Sequence, residues 1–328
     1  MAQERAPFEG RPQLRLDGIY LQQGDSGSPR VRFSGVYPIN RQALIGGAVD
    51  IAAGDIFRSD INELYLAVAP FIDDPNLRFI IGQNDVTSYF DRNSFAKDNG
   101  THFFSPVFQT NPALVAAGIG GSRQSGIMNW TIADNLDTRV MVFSSSPYIG
   151  DFALNGVAGE VAYRAGNAIV RGTYVAGLDG GTQTTFPEAF SLVRSDGEGG
   201  VAFNDREEAY GINAEWFLPE TNIGLFGRYG FYRNRTLGLG ASNWAIGLNI
   251  FDLLLEDSRF GLAYGYGLSN RQAREALGLP RPDVLETFYD FRALGDLRVG
   301  LSLQSRNAFS ETEFGFRIKT GFDLLGGN

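Results

Sequence analysis

In one short segment after another, from about Leu14 to Phe322, apolar and polar residues alternate with a period of two. In the last segment Phe314, Phe316, Ile318 and Phe322 interleave with Gly315, Arg317, Lys319 and Gly321. Successive side chains of a β-strand point to opposite faces, so each segment reads as a strand with one apolar and one polar side. The polar side carries long arginines and carboxylates: Arg15, Asp17, Arg32, Glu63, Arg78, Glu160, Arg164, Arg171, Glu215, Arg228, Arg259, Glu286, Asp290, Arg292, Arg298, Arg306, Arg317 and Lys319. Placing these in a dry core would cost several kcal/mol each unless they were paired. A closed antiparallel barrel, wet inside and lipid-facing outside, suits both rows.

The pattern runs without a linker, so residues 13–328 are expected to form one barrel behind an N-terminal extension, residues 1–12. No stretch approaches the roughly 18–20 consecutive apolar residues of a membrane-spanning helix. Met1 is followed by Ala2, Gln3 and Glu4 with no apolar h-region, which leaves open a mature start behind an added Met or the loss of an upstream domain. With no cysteine among the 328 residues, disulfides and thiolate metal sites are excluded, and no cofactor is expected. The net charge of −9 argues against nucleic acid as a partner.

Turn chemistry at Asn40, Asp73-Asp74-Pro75, Asp134-Asn135, Gly166-Asn167, Pro219, Glu256-Asp257 and Gly295-Asp296 marks tight connections, and longer ones lie between them. Short turns at one end and long loops at the other characterise outer-membrane barrels, and parity then gives about sixteen strands. That count requires residues 111–121 to be part of a loop. The longest connection, about 86–126, is rich in aromatics that an exposed loop would not keep in water. It is expected to fold into the lumen as a constriction; the alternatives are a cap over the barrel or packing on a neighbouring subunit. Its acids Asp85, Asp91 and Asp98, with Arg92 and Lys97, would face wall arginines Arg78, Arg164, Arg171 and Arg228, and such opposed charges set up a transverse field. Tyr89, Phe90 and Phe103 could offer stacking faces to a sugar. Tyr20, Tyr37, Trp216, Tyr232 and Phe322, near strand ends, are expected in interfacial girdles.

The segment Leu77–Asp98 (LRFIIGQNDVTSYFDRNSFAKD) resembles the strand-plus-loop signature of OprB-like carbohydrate-selective porins, above all the barrel of cyanobacterial major outer-membrane porins. Ile223–Gly230 (IGLFGRYG), Asn243–Leu248, Glu286–Phe291 and Leu297–Gln304 are similar to late strands of that group. The resemblance implies an integral outer-membrane homotrimer that passes sugars or small ions passively. Two features depart from it: the residues ahead of Gln13 carry no S-layer-homology or coiled-coil pattern, and Phe322 is followed by Asp323, Leu324 and Leu325. Competing functions are a structural barrel with a plugged lumen, an outer-membrane enzyme and a soluble β-rich binding protein. Enzymatic chemistry has little to build on, because His102 is the only histidine and no phosphate-cradling motif occurs.

Overall fold

The computed structural model describes residues 10–52, 58–71, 76–146, 152–194, 197 and 199–325. The expected turn at Asp73-Asp74-Pro75 and most of the N-terminal extension lie outside the described residues.

Sixteen strands close into one antiparallel barrel in which every strand pairs with its sequence neighbours and β16 returns to β1. They are β1 (Gln13–Gln23), β2 (Ser26–Asn40), β3 (Ala43–Ala52), β4 (Arg58–Val68), β5 (Leu77–Asp85), β6 (Ser122–Ala133), β7 (Leu136–Ser144) and β8 (Leu154–Ala165) in the first half. The second half comprises β9 (Ala168–Leu178), β10 (Arg206–Leu218), β11 (Ile223–Asn234), β12 (Leu239–Phe251), β13 (Arg259–Ser269), β14 (Asp283–Leu294), β15 (Leu297–Arg306) and β16 (Glu311–Asp323). Closure removes the unpaired edges that a sandwich of so many strands would expose. The 111–121 stretch is not a strand: Pro112–Leu114 is α-helical and Val115–Ile119 is π-helical, so the even count holds.

One boundary differs from the sequence reading: β6 opens at Ser122, which ends the long connection at residue 121. β1 and β2 are joined by Gly24 and Asp25 alone. Gly24 has φ of 52°, the left-handed conformation such a tight connection needs. A short helix, Arg271–Ala276, sits in the β13–β14 connection, capped by Asn270. The alternating pattern does not announce it.

Register sorts the side chains into the two rows read from the sequence. Leu64, Ile81, Val161, Ile212, Ile246 and Leu303 form part of an exposed apolar row, whereas Glu160, Asn213, Asn249, Glu286 and Arg317 on the opposite row are buried. Tyr37, Trp130, Tyr163, Trp216 and Phe322 stand exposed near the short-turn ends of their strands. Such amphipathic rings suit a lipid–water interface. Tyr232 is a correction. It pairs with Ala209 and Ala241 on the polar row, is fully buried, and donates its hydroxyl to Glu207.

Candidate functional site

The 86–121 segment leaves β5 through a 3-10 turn, Val86–Ser88, whose N-cap Asp85 accepts from the Thr87 amide (3.1 Å) and hydroxyl (2.7 Å). Between that turn and the helical residues 112–119 only one short 3-10 turn, Pro106–Phe108, is regular, so many buried backbone groups of this stretch need partners elsewhere. Polar-row side chains supply them. The Asp91 amide donates to Glu160 Oε2 on β8 (2.7 Å) and the Ser94 amide to Glu215 Oε2 on β10 (2.6 Å). Glu286 on β14 accepts the amides of Phe104 (2.6 Å) and Ser105 (2.8 Å), together with the Ser302 hydroxyl (2.9 Å).

Donors on the wall complement these acceptors. Arg228 on β11 donates to the carbonyls of Phe108 (2.8 Å), Asp91 (3.1 Å) and Ala96 (2.7 Å), while its Nε lies 3.0 Å from Asp91 Oδ2. Asn249 donates to Phe95 O (2.9 Å), and Arg317, wholly buried, donates to the carbonyls of Asn99 and His102 and pairs with Asp290 at 2.9 Å. Desolvating that many charges is tolerable only because nearly every one meets an opposite charge or a backbone dipole.

Packing follows the same seam. Phe103 contacts Phe108, Phe226 and Phe288 with ring centroids 5.1, 5.6 and 4.8 Å apart, and Phe95 lies 6.0 Å from Phe251. Room for this layer comes from glycine on the wall. A Cβ at Gly224 would collide with the Phe95 ring, and one at Gly230 would meet Asn111 Oδ1 and sit 2.8 Å from Ala113 Cβ.

The charged residues singled out from the sequence divide into two groups. Asp91, Arg171 and Arg228 are buried between wall and segment. Asp91 therefore does not present a free charge: its Oδ2 also accepts from the Asn111 amide (2.8 Å) and its Oδ1 from Asn213 Nδ2 (2.9 Å). Phe90 and Phe103 are likewise fully buried, in two separate apolar clusters, so neither ring is open for stacking, and Tyr89 packs against the cluster that holds Phe90. Lys97 and Arg164 are exposed, and Arg78, Asp85, Arg92 and Asp98 are half-buried. Arg78 lies on the polar row of β5 opposite Asn129.

Arg32 and Asp50, on the neighbouring strands β2 and β3, form a bidentate pair (2.6 and 2.7 Å). Glu63 on β4 lies within electrostatic reach of Asp85, Arg32 and Lys97. Burial works to raise the Asp98 carboxyl, but the charges of Lys97 and Lys319 and a hydrogen bond from Thr101 hold it below the ordinary carboxylate range. Burial, aided by the Arg259 charge, pushes the His102 imidazole down to about 3.

Glu160, Glu215 and Glu286 were readable as polar-row residues, but alternation alone does not mark them as acceptors for a segment's amides. The signal lay in glycines at polar-row positions such as 224 and 230, since glycine inside a strand often marks close approach of another chain segment.

No family model matches the sequence, and no curated protein resembles it in sequence. Solved structures do resemble the fold. Pseudomonas putida OprB superposes with a TM-score of 0.73 at 13% identity over 95% of this chain and 94% of that one. The trimer form of OmpT, an outer membrane protein of Vibrio cholerae, gives 0.59 at 11% identity over 95% and 98% of the two chains. A mutant of the Rh. blastica porin gives 0.55 at 12% identity over 95% and 99%. The chain therefore has an OprB-like porin fold.

Proposed function

We propose that this protein is an outer-membrane porin, a passive diffusion channel for small hydrophilic solutes such as ions and sugars, with residues 13–328 as its single barrel domain. The observation that carries the reading is the sorting of strand residues into an outer apolar row, much of it exposed, and a polar row with many buried charges, within a closed barrel. An apolar exterior needs lipid, and a charged interior needs water. In this reading the 86–121 segment lies across the lumen, held by Glu160, Glu215, Arg228, Asn249, Glu286 and Arg317. Solute passes between Lys97 and Asp98 of the segment and the Arg32, Asp50 and Glu63 wall.

Arg228 and Asp91 then act as anchors of the segment, while Lys97, Asp98, Asp85 and Arg92 act on the solute. A channel is favoured over an enzyme because the one histidine is tied up: its Nδ1 lies 2.6 Å from Thr101 Oγ1 and its Nε2 3.0 Å from Ser94 O. The chain is read as a homotrimer by analogy with the trimer form of its Vibrio cholerae structural neighbour.

A second reading, a plugged barrel serving as an anchor, draws on the complete burial of Glu286 and Arg317 beneath the segment. Planar-bilayer recording separates the two. Stepwise ohmic conductance with a measurable reversal potential in a salt gradient supports the channel, and silent insertion supports the plug.

A further inference from the structure

Between the segment and strands β7–β9 lies a group of cations whose hydrogen bonds do not close. Arg139 on β7 pairs with Glu160 on β8, and Arg171 on β9 pairs with Ala162, two residues further along β8. Both therefore stand on the polar row, on strands that flank β8. Adjacent strands are about 4.8 Å apart, so the two backbones are separated by roughly 10 Å, which two long guanidinium side chains can bridge. Ala162 leaves space between them. Arg92 enters from the segment, next to Asp91, whose amide is fixed to Glu160.

The neighbouring carboxylates are already engaged. Glu160 Oε1 accepts from Arg139 Nη1 (2.7 Å), and its Oε2 accepts from the Asp91 amide (2.7 Å) and the Thr173 hydroxyl (2.9 Å). Glu215 Oε1 accepts from Arg171 Nη2 (3.1 Å), and both its oxygens hold Ser94. Asp137 accepts from the Thr131 hydroxyl at 2.6 Å. Left over are Arg171 Nε and Nη1 and Arg92 Nε, all buried and without an acceptor. Arg171 itself is 6% exposed.

We infer that Arg92, Arg139 and Arg171 form a binding site for a small oxyanion, a phosphate group or a carboxylate, between the segment and the wall. Arg171 Nε and Nη1 lie on different edges of its guanidinium, so an oxyanion is held by single charge-assisted N–H contacts, one from Arg171 and one from Arg92 Nε. Water could accept those bonds but brings no countercharge, and like charges crowd here. Burial and the charges of Arg139 and Arg171 bring the Arg92 guanidinium down to about 10. The half-buried position of Arg92 gives the site its opening. The inference adds a solute chemistry to the channel reading and rests on that reading only for the route of entry.

The test is calorimetric titration of the folded, detergent-solubilised protein with inorganic phosphate at low ionic strength. Saturable binding is expected, weakened at least about tenfold in both Arg92→Gln and Arg171→Gln, since each removes a charge-assisted contact. Arg206→Gln, which removes an exposed arginine at the far end of β10, should bind as the parent does. If Arg171→Gln does not fold, Arg92→Gln decides, because Arg92 belongs to the segment and to no strand. Absence of saturable binding in the parent, or equal affinity in Arg92→Gln, overturns the site. Phosphate binding by a protein that conducts no ions leaves the site standing and removes the channel, so the two failures are distinguishable.

Discussion

Replacing Glu286 by alanine should loosen the 86–121 segment without unfolding the barrel. In the native protein one carboxylate, fully buried, accepts two backbone amides of the segment, from Phe104 and Ser105, and the Ser302 hydroxyl. The serine hydroxyl can rotate toward another acceptor, but the two amides are fixed by the backbone. Each buried donor left unpaired costs about 1–3 kcal/mol, so the docked state loses roughly 2–6 kcal/mol. Taking about 4 kcal/mol, the population with the Phe104–Ser105 stretch undocked rises about a thousandfold. Glu286 keeps its ladder bonds to β13 and β15 whatever its side chain, so the strands should be unaffected. Single-channel recording reads this directly: Glu286→Ala should show brief excursions to larger conductance and increased open-channel noise, at unchanged heat-modifiability on gels. Glu286→Gln, which keeps one carbonyl acceptor, should fall between the two. A variant with the conductance and noise of the parent would refute the assignment of Glu286 as an anchor of a constricting segment.

Other perturbations address other parts of the account. Gly230→Ala places a Cβ against Asn111 and Asn243 and should cost about 1–3 kcal/mol of docking, giving a noisier channel through a second contact on the same wall, at β11. Lys97→Glu reverses an exposed charge on the segment, and the reversal potential in a salt gradient should move toward cation preference. Arg317→Met leaves the carbonyls of Asn99 and His102 and the Asp290 carboxylate short of a buried donor, and limited proteolysis should cut the segment faster. Acid should also undock the segment, through His102. Its docked pKa of about 3 lies below the free value of about 6.5, so the undocked state binds more protons in that window. The contribution of His102 to docking should be constant above about 6.5 and shrink as pH falls from there toward about 3, so the difference between the parent and His102→Gln in noise recordings should change over that range.

The barrel was legible because its information is local and repeated. A period of two in segments such as 314–322 fixes which row each residue joins, and a slip of one residue would turn every apolar side chain inward. That is why the charged row from Arg15 to Lys319 could be written down before any strand was paired. The site was less legible because its contacts join residues far apart in the chain. Asp91 reads as a loop acid, and only the approach of β11 makes it the partner of Arg228, 137 residues away. Phe90 and Phe103 read as faces for a solute because an aromatic loop must pack on something, and sequence does not say which rings lie underneath. Tyr232 was misplaced for a related reason. A tyrosine near a strand end suits an interfacial girdle, but the Ala209 and Ala241 beside it open a pocket on the inner row, and Glu207 supplies the acceptor.

The central claim, a water-filled lumen narrowed by the 86–121 segment, is tested most directly by a single cysteine at Lys97, since the chain has no other. The Lys97→Cys protein would be recorded in a planar bilayer before and after a bulky thiol-reactive reagent, with Ile246→Cys on the exposed apolar row as the reference. Stepwise conductance that drops sharply on modification at 97 and not at 246 is the expected result. A silent bilayer, or a current indifferent to modification at 97, would contradict the account.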